Sequence, residues 1–141
     1  MATINEIQDQ IIEDFNLFDE WDEKYAYIID LGKKLQGIDP KFKIEENIIK
    51  GCQSLVWMTS TFKDGKVYFE GESDAIIVKG LVALLLKVLS GQVAEDIAKS
   101  DMYFINKIGM QQHLSMTRSN GLASMVKQMK MHAIAYQSKT A

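Results

Sequence analysis

Apolar residues at Ile4, Ile7, Ile11 and Phe15 recur every three or four positions, the spacing that lays one stripe along an α-helix. Thr3 followed by Glu6 matches a capping box. The N-terminus therefore reads as an amphipathic helix that ends near Phe18. A second helix is expected from about Asp19, with acids in its first turn and Trp21, Tyr25, Ile28 and Leu35 along its apolar face. Pro40, the single proline, falls in a polar connection.

From Asn47 the period changes. Ile48-Ile49, a break at Lys50-Gly51, and then Leu55 to Phe62, rich in β-branched and aromatic residues, read as strands. Asp64-Gly65 is a hairpin turn, after which Val67 and Phe69 alternate with Lys66, Tyr68 and Glu70. Ser73 and Asp74 are natural N-caps for a helix that runs through Leu81-Val82-Ala83-Leu84-Leu85-Leu86 to a glycine cap at Gly91. Being apolar nearly all round, it should be the central buried helix. Asp96 to Ser100 and Tyr103 to Gly109 suggest shorter helical pieces. Ser115 to Ser119 leads into a last helix with Leu122, Met125, Val126, Met129 and Ala133 as its buried stripe. The pattern predicts one α+β domain over residues 1–141, with a small antiparallel sheet of about three strands packed against helices from both ends of the chain.

Composition narrows the function classes. With 141 residues, 47% of them hydrophobic, the chain can build a core without disulfides. A net charge of -3, with basic residues scattered among acids, lacks the footprint that phosphate neutralisation needs, so no nucleic-acid partner is expected. The longest apolar stretch is far short of the ~20 residues of a membrane span, and the first residues show neither a basic nor an apolar leader region. The expectation is a cytoplasmic protein with no membrane partner.

A single cysteine, Cys52, cannot close an internal disulfide or form a cysteine-rich metal site by itself. It follows Gly51, which allows a sharp turn between strands, and precedes Gln53 and Ser54. Lys50 and the turn's own N–H groups would favour its thiolate. A buried structural cysteine is an equal alternative on position alone, since Leu55, Val56 and Trp57 can shelter it. His113, beside two glutamines, reads as a hydrogen-bonded structural residue before a proton acceptor or metal ligand. Asp74 reads first as a helix cap and second as a partner-facing charge. His132 is expected at the surface, Met125 and Met129 in the core, and Trp57 between the sheet and a helix.

Gly51-Cys52-Gln53-Ser54-Leu55-Val56-Trp57 resembles the GCQSxVW signature of the SufE family of sulfur acceptors. Other segments agree, in order. Trp21 to Ile28 resembles the family's W-x-x-K-Y-x-x-I helix, and Asn47 to Gly51 its N-x-I-x-G entry. Ser73-Asp74-Ala75 with Ile77 to Leu81 is similar to its SDA-x-IVKGL helix start. Gln112 to Ser115 and Arg118 to Leu122 resemble its QHLSPSRSNGL stretch. One departure stands out: Met116-Thr117 replaces the family's usual Pro-Ser, which puts the rigidity of that helix entry in doubt.

The resemblance implies a SufE/IscU-like fold and a sulfur carrier that is not itself an enzyme. Cys52 would take sulfur from the persulfide of a SufS-type cysteine desulfurase, speed that enzyme's turnover, and pass the sulfur to a SufBCD-type scaffold that builds iron–sulfur clusters. No cofactor is expected on this chain, because pyridoxal phosphate belongs to the desulfurase. Gly51, Gln53, Ser54, Asp74, His113 and Arg118 would support the loop or meet the partner. For Arg118 the plain alternative is a salt bridge to one of the many acids. A competing reading, prompted by the IscU likeness, is a single-cysteine metal-binding or scaffold-like interaction domain in which Cys52, Asp74 and His113 supply zinc ligands.

Overall fold

The computed structural model describes residues 2–52 and 54–140, with side chains through Ser138. Helix α1 (Ile4–Asn16) opens on the expected capping box. Thr3 Oγ1 accepts from the Glu6 N–H at 3.1 Å, and Glu6 Oε1 accepts from the Thr3 N–H at 3.0 Å. These bonds satisfy two donors near the helix start and so fix where it begins. The stripe buries Ile4, Ile11 and Phe15 together with Gln8. That amide is used at both ends: its Nε2 donates to the Asp101 carbonyl at 3.0 Å and its Oε1 accepts from the Phe104 N–H at 3.1 Å.

Helix α2 (Trp21–Lys33) crosses α3 (Ile76–Leu89) with the two backbones almost touching. A Cβ at Gly80 would lie 2.2 Å from the Ile28 carbonyl oxygen, and one at Gly32 would lie 2.8 Å from the Gly80 nitrogen. Only glycine leaves room there. As its composition predicts, α3 is the central helix, burying Val78, Leu81, Val82, Leu84, Leu85, Val88 and Leu89.

Strands β1 (Val56–Lys63) and β2 (Lys66–Ser73) form the expected hairpin. Asp64 and Gly65 both take positive φ, 55° and 80°, as the two central residues of a type I′ turn require. Val56, Met58, Val67, Phe69 and Gly71 fall on the buried face. The sheet order is β1-β2-β3, and the third strand differs from expectation. Ile48 makes only an isolated bridge to Trp57, whereas β3 is Gln92–Val93, paired with β2. Gly91, with φ 84°, turns the chain out of α3, and its N–H donates to the Val67 carbonyl at 2.7 Å, which sets β3 alongside. Trp57 also departs from expectation. It alternates with the buried Val56 and Met58, so it lies on the opposite face of the sheet from the helices, with Lys43 Nζ 5.5 Å from its ring centroid.

Short helices α4 (Ala94–Ala98), α5 (Phe104–Lys107) and α6 (Met110–His113) lead to α7 (Met116–Thr140). Leu122, Met125, Met129 and Ala133 are buried along α7, and Val126 partly so. The far half of α7 lies against β1. Phe62 and Tyr136 stack with centroids 5.0 Å apart, and Ser60 Oγ lies 2.6 Å from His132 Nδ1. His132 is therefore half-buried against the sheet and not at the surface as its sequence context suggested, and burial lowers its pKa.

Candidate functional site

Ile49 is the last core residue before the cysteine loop, its N–H bonded to the Val56 carbonyl at 2.9 Å. Gly51 then takes φ 91°, which favours glycine, and a Cβ there would sit 2.6 Å from Ser124 Oγ on α7 and force that side chain to turn away. The exit of the loop is pinned at Leu55. Its N–H donates to Asp74 Oδ1 at 3.1 Å, and its carbonyl accepts from Ser73 Oγ at 2.9 Å and from the Asp74 N–H at 3.3 Å.

That geometry corrects the reading of Asp74 as a helix cap. Helix α3 starts from Ala75 with no side-chain cap, and the Ala75 N–H donates to Ser73 Oγ at 3.2 Å. The strand register, with Val56 opposite Ser73, extends one step to set Leu55 opposite Asp74, which leaves the carboxylate to hold the loop. Gln53 lies outside the described residues.

Cys52 is partly buried and free, and its Sγ–H donates to the Gly121 carbonyl of α7 at 3.5 Å. Burial pushes its pKa up. Among the described residues no cation offsets this at rest, so the expected activation by Lys50 is not met. The thiol faces a carbonyl, which stabilises S–H, while Lys50 is exposed. Gly121 leaves space beside the sulfur, where a Cβ would lie 3.4 Å from Sγ.

Beside the thiol is a cavity of about 280 Å³. Val78, Leu81, Leu122 and Met125 supply its apolar lining, and Ser54, Ser115, Thr117 and Arg118 its polar lining. Of the residues singled out in the sequence, Cys52, Ser54 and Arg118 line this one cavity. Gly51 sits behind the loop, Asp74 holds its exit, and His113 is elsewhere. The His113 ring is exposed and stacks on Trp21 with centroids 4.1 Å apart, and its carbonyl accepts from the Tyr25 hydroxyl, which ties α6 to α2.

No carboxylate among the described residues pairs with Arg118, so the plain salt-bridge alternative for it is not met. Its N–H donates to Ser115 Oγ at 3.2 Å, an N-cap that starts α7 without the family's proline. Gly121, Ser115 and Thr117 lie in segments that carry the resemblance but are not among the expected site residues. A glycine inside an apolar helical stripe was the available signal of a close approach.

Among the described residues no three His, Cys, Asp or Glu side chains gather into a metal-ligand set, so the proposed zinc trio of Cys52, Asp74 and His113 does not form. Among the described residues no helix is long and apolar enough to cross a membrane.

The SufE family profile, described as an Fe-S metabolism associated domain, matches residues 9–133. The chain belongs to the SufE family. A SufE-like protein of Rhizobium meliloti (strain 1021) is 45% identical over 130 residues, covering 89% of this chain and 93% of that protein. Another, from Synechocystis, is 38% identical over 128 residues, covering 91% of this chain and 80% of the relative. The solution structure of a hypothetical protein from Thermus thermophilus superposes with a TM-score of 0.78 over 94% of this chain and 96% of that one. At 18% identity that match speaks to the α+β fold alone. Membership of SufE places the protein in Fe-S metabolism.

Proposed function

We propose that this SufE protein is a sulfur carrier whose acceptor atom is Cys52 Sγ. The observation that carries the reading is a lone thiol on a loop that turns at Gly51, beside a cavity also lined by Arg118, which no carboxylate among the described residues pairs with. The Cys52 thiolate attacks the outer sulfur of a persulfide on a SufS-type cysteine desulfurase. The S–S bond of the donor breaks, its cysteine leaves as thiolate, and Cys52 becomes a persulfide. Relieving the desulfurase of its product stimulates turnover, and the sulfur then passes to a SufBCD-type cluster scaffold. Pyridoxal phosphate acts in the desulfurase, so the carrier needs no cofactor of its own.

The raised pKa suits a carrier. At rest the thiol is protonated and shielded, which slows oxidation and adventitious exchange. Docking of the desulfurase frees it, with Gly51 as the hinge and Arg118 as the cation that stabilises the thiolate or the persulfide anion. The test is desulfurase turnover with and without the protein, followed by the intact mass of the carrier. Wild type is expected to raise turnover and gain the mass of one sulfur, and Cys52→Ser to do neither while folding normally. Equal stimulation by Cys52→Ser would overturn the reading.

A further inference from the structure

Among the described residues Arg118 is the single charged one lining the cavity beside Cys52, where it is joined by Ser54, Ser115 and Thr117. The chain carries a net charge of -3, yet no carboxylate among the described residues pairs with this cation, which leaves it able to take an anionic group. The volume, about 280 Å³, is several times the ~30 Å³ share of a water but falls at the foot of the roughly 300–1,000 Å³ range of drug-sized sites. It fits a molecule of amino-acid size. Arg118 and Thr117 are exposed, so the polar side opens to solvent while Leu81, Leu122 and Met125 close the floor.

We propose that this cavity admits a low-molecular-weight thiol carrying a carboxylate, or its disulfide, with sulfur against Cys52 and the carboxylate on Arg118. As a disulfide it reacts with the Cys52 thiolate. A Cys52–S–S–R bond forms, the R–S–S–R bond breaks and RS⁻ leaves, with no net oxidation. As a thiolate, RS⁻ attacks the outer sulfur of a Cys52 persulfide, giving R–S–SH and the free Cys52 thiolate. That second step deepens the sulfur-carrier reading and rests on it. Occupancy of the cavity does not.

The test compares three small disulfides on the folded full chain: dithiodipropionate, which is dianionic, hydroxyethyl disulfide, which is neutral, and cystamine, which is dicationic. Adduct formation on Cys52 is followed by intact mass, each rate being divided by that for a short cysteine peptide. A response to overall charge would favour cystamine. The proposal expects dithiodipropionate to exceed the neutral compound by about fivefold, the scale of one partly solvated ion pair. Arg118→Gln should collapse that ratio, and Lys50→Gln should keep it. A ratio at or below one, a ratio unchanged in Arg118→Gln, or no adduct from any of the three would overturn it. Desulfurase stimulation involves no small disulfide, so its failure and this one are told apart.

Discussion

Cys52 Sγ donates to the carbonyl of Gly121 at 3.5 Å, so the loop that carries the thiol is latched onto the long C-terminal helix. Burial raises the thiol pKa and the carbonyl acceptor favours the protonated form. Alkylation of the folded protein by iodoacetamide should therefore be slower at neutral pH than in the urea-unfolded chain. Its pH midpoint should lie above the ~8.5 of an ordinary thiol. Coincident midpoints for the folded and unfolded chains would rule out this latch.

Asp74 holds the other end of the loop through the Leu55 N–H. Losing one such bond is worth about 1 kcal/mol, or roughly a fivefold change in an opening equilibrium. Asp74→Ala should speed Cys52 alkylation by about that factor, with only a small change in the urea midpoint because the side chain is exposed. An unchanged labelling rate would show that the loop opens without breaking this bond.

The fates of two helical glycines should diverge. At Gly121 an added Cβ meets Cys52 Sγ at 3.4 Å, ordinary contact, and alanine improves helix propensity by about 1 kcal/mol. Gly121→Ala should fold with stability equal to or above wild type, yet load sulfur more slowly because its methyl takes space beside the thiol. At Gly80 the Cβ would press on the Ile28 backbone at 2.2 Å, where neither helix can give. Gly80→Ala should cost about 3 kcal/mol despite the same propensity gain. Urea denaturation of both variants checks the contrast.

Features set by neighbouring residues were legible in the sequence. The Thr3–Glu6 capping box, the Asp64-Gly65 turn and the all-round apolar α3 follow from spacing and local chemistry. What failed depends on tertiary contact. β3 is two residues whose pairing comes from the turn at Gly91, and a run of two carries no period to read. Asp74 has the composition of a cap, but the hairpin register assigns it to Leu55. The Cys52 loop was found by its motif, while the burial that raises its pKa comes from packing against α7, where the Gly121 carbonyl that meets the thiol is 69 residues away.

His132 gives the fold a pH dependence of defined sign. It lies on α7 between Ser60 Oγ, 2.6 Å from Nδ1, and Gln128 Nε2, 3.2 Å from Nε2. Tyr136 OH bonds the same serine at 3.0 Å, and the Phe69 ring is 6.2 Å away. These neighbours are neutral at the pH of interest, so none offsets a charge on the ring, and burial lowers the pKa. In the unfolded chain the histidine titrates near ~6.5. Below that value the unfolded state binds the extra proton first, so stability rises with pH through this window. The contribution from neutral His132 is complete above the unfolded pKa and is lost as pH falls toward the folded one. Urea midpoints between about pH 8 and about pH 5 should fall more steeply for wild type than for His132→Gln, which cannot titrate. Parallel curves would mean that the ring accepts its proton without leaving the sheet.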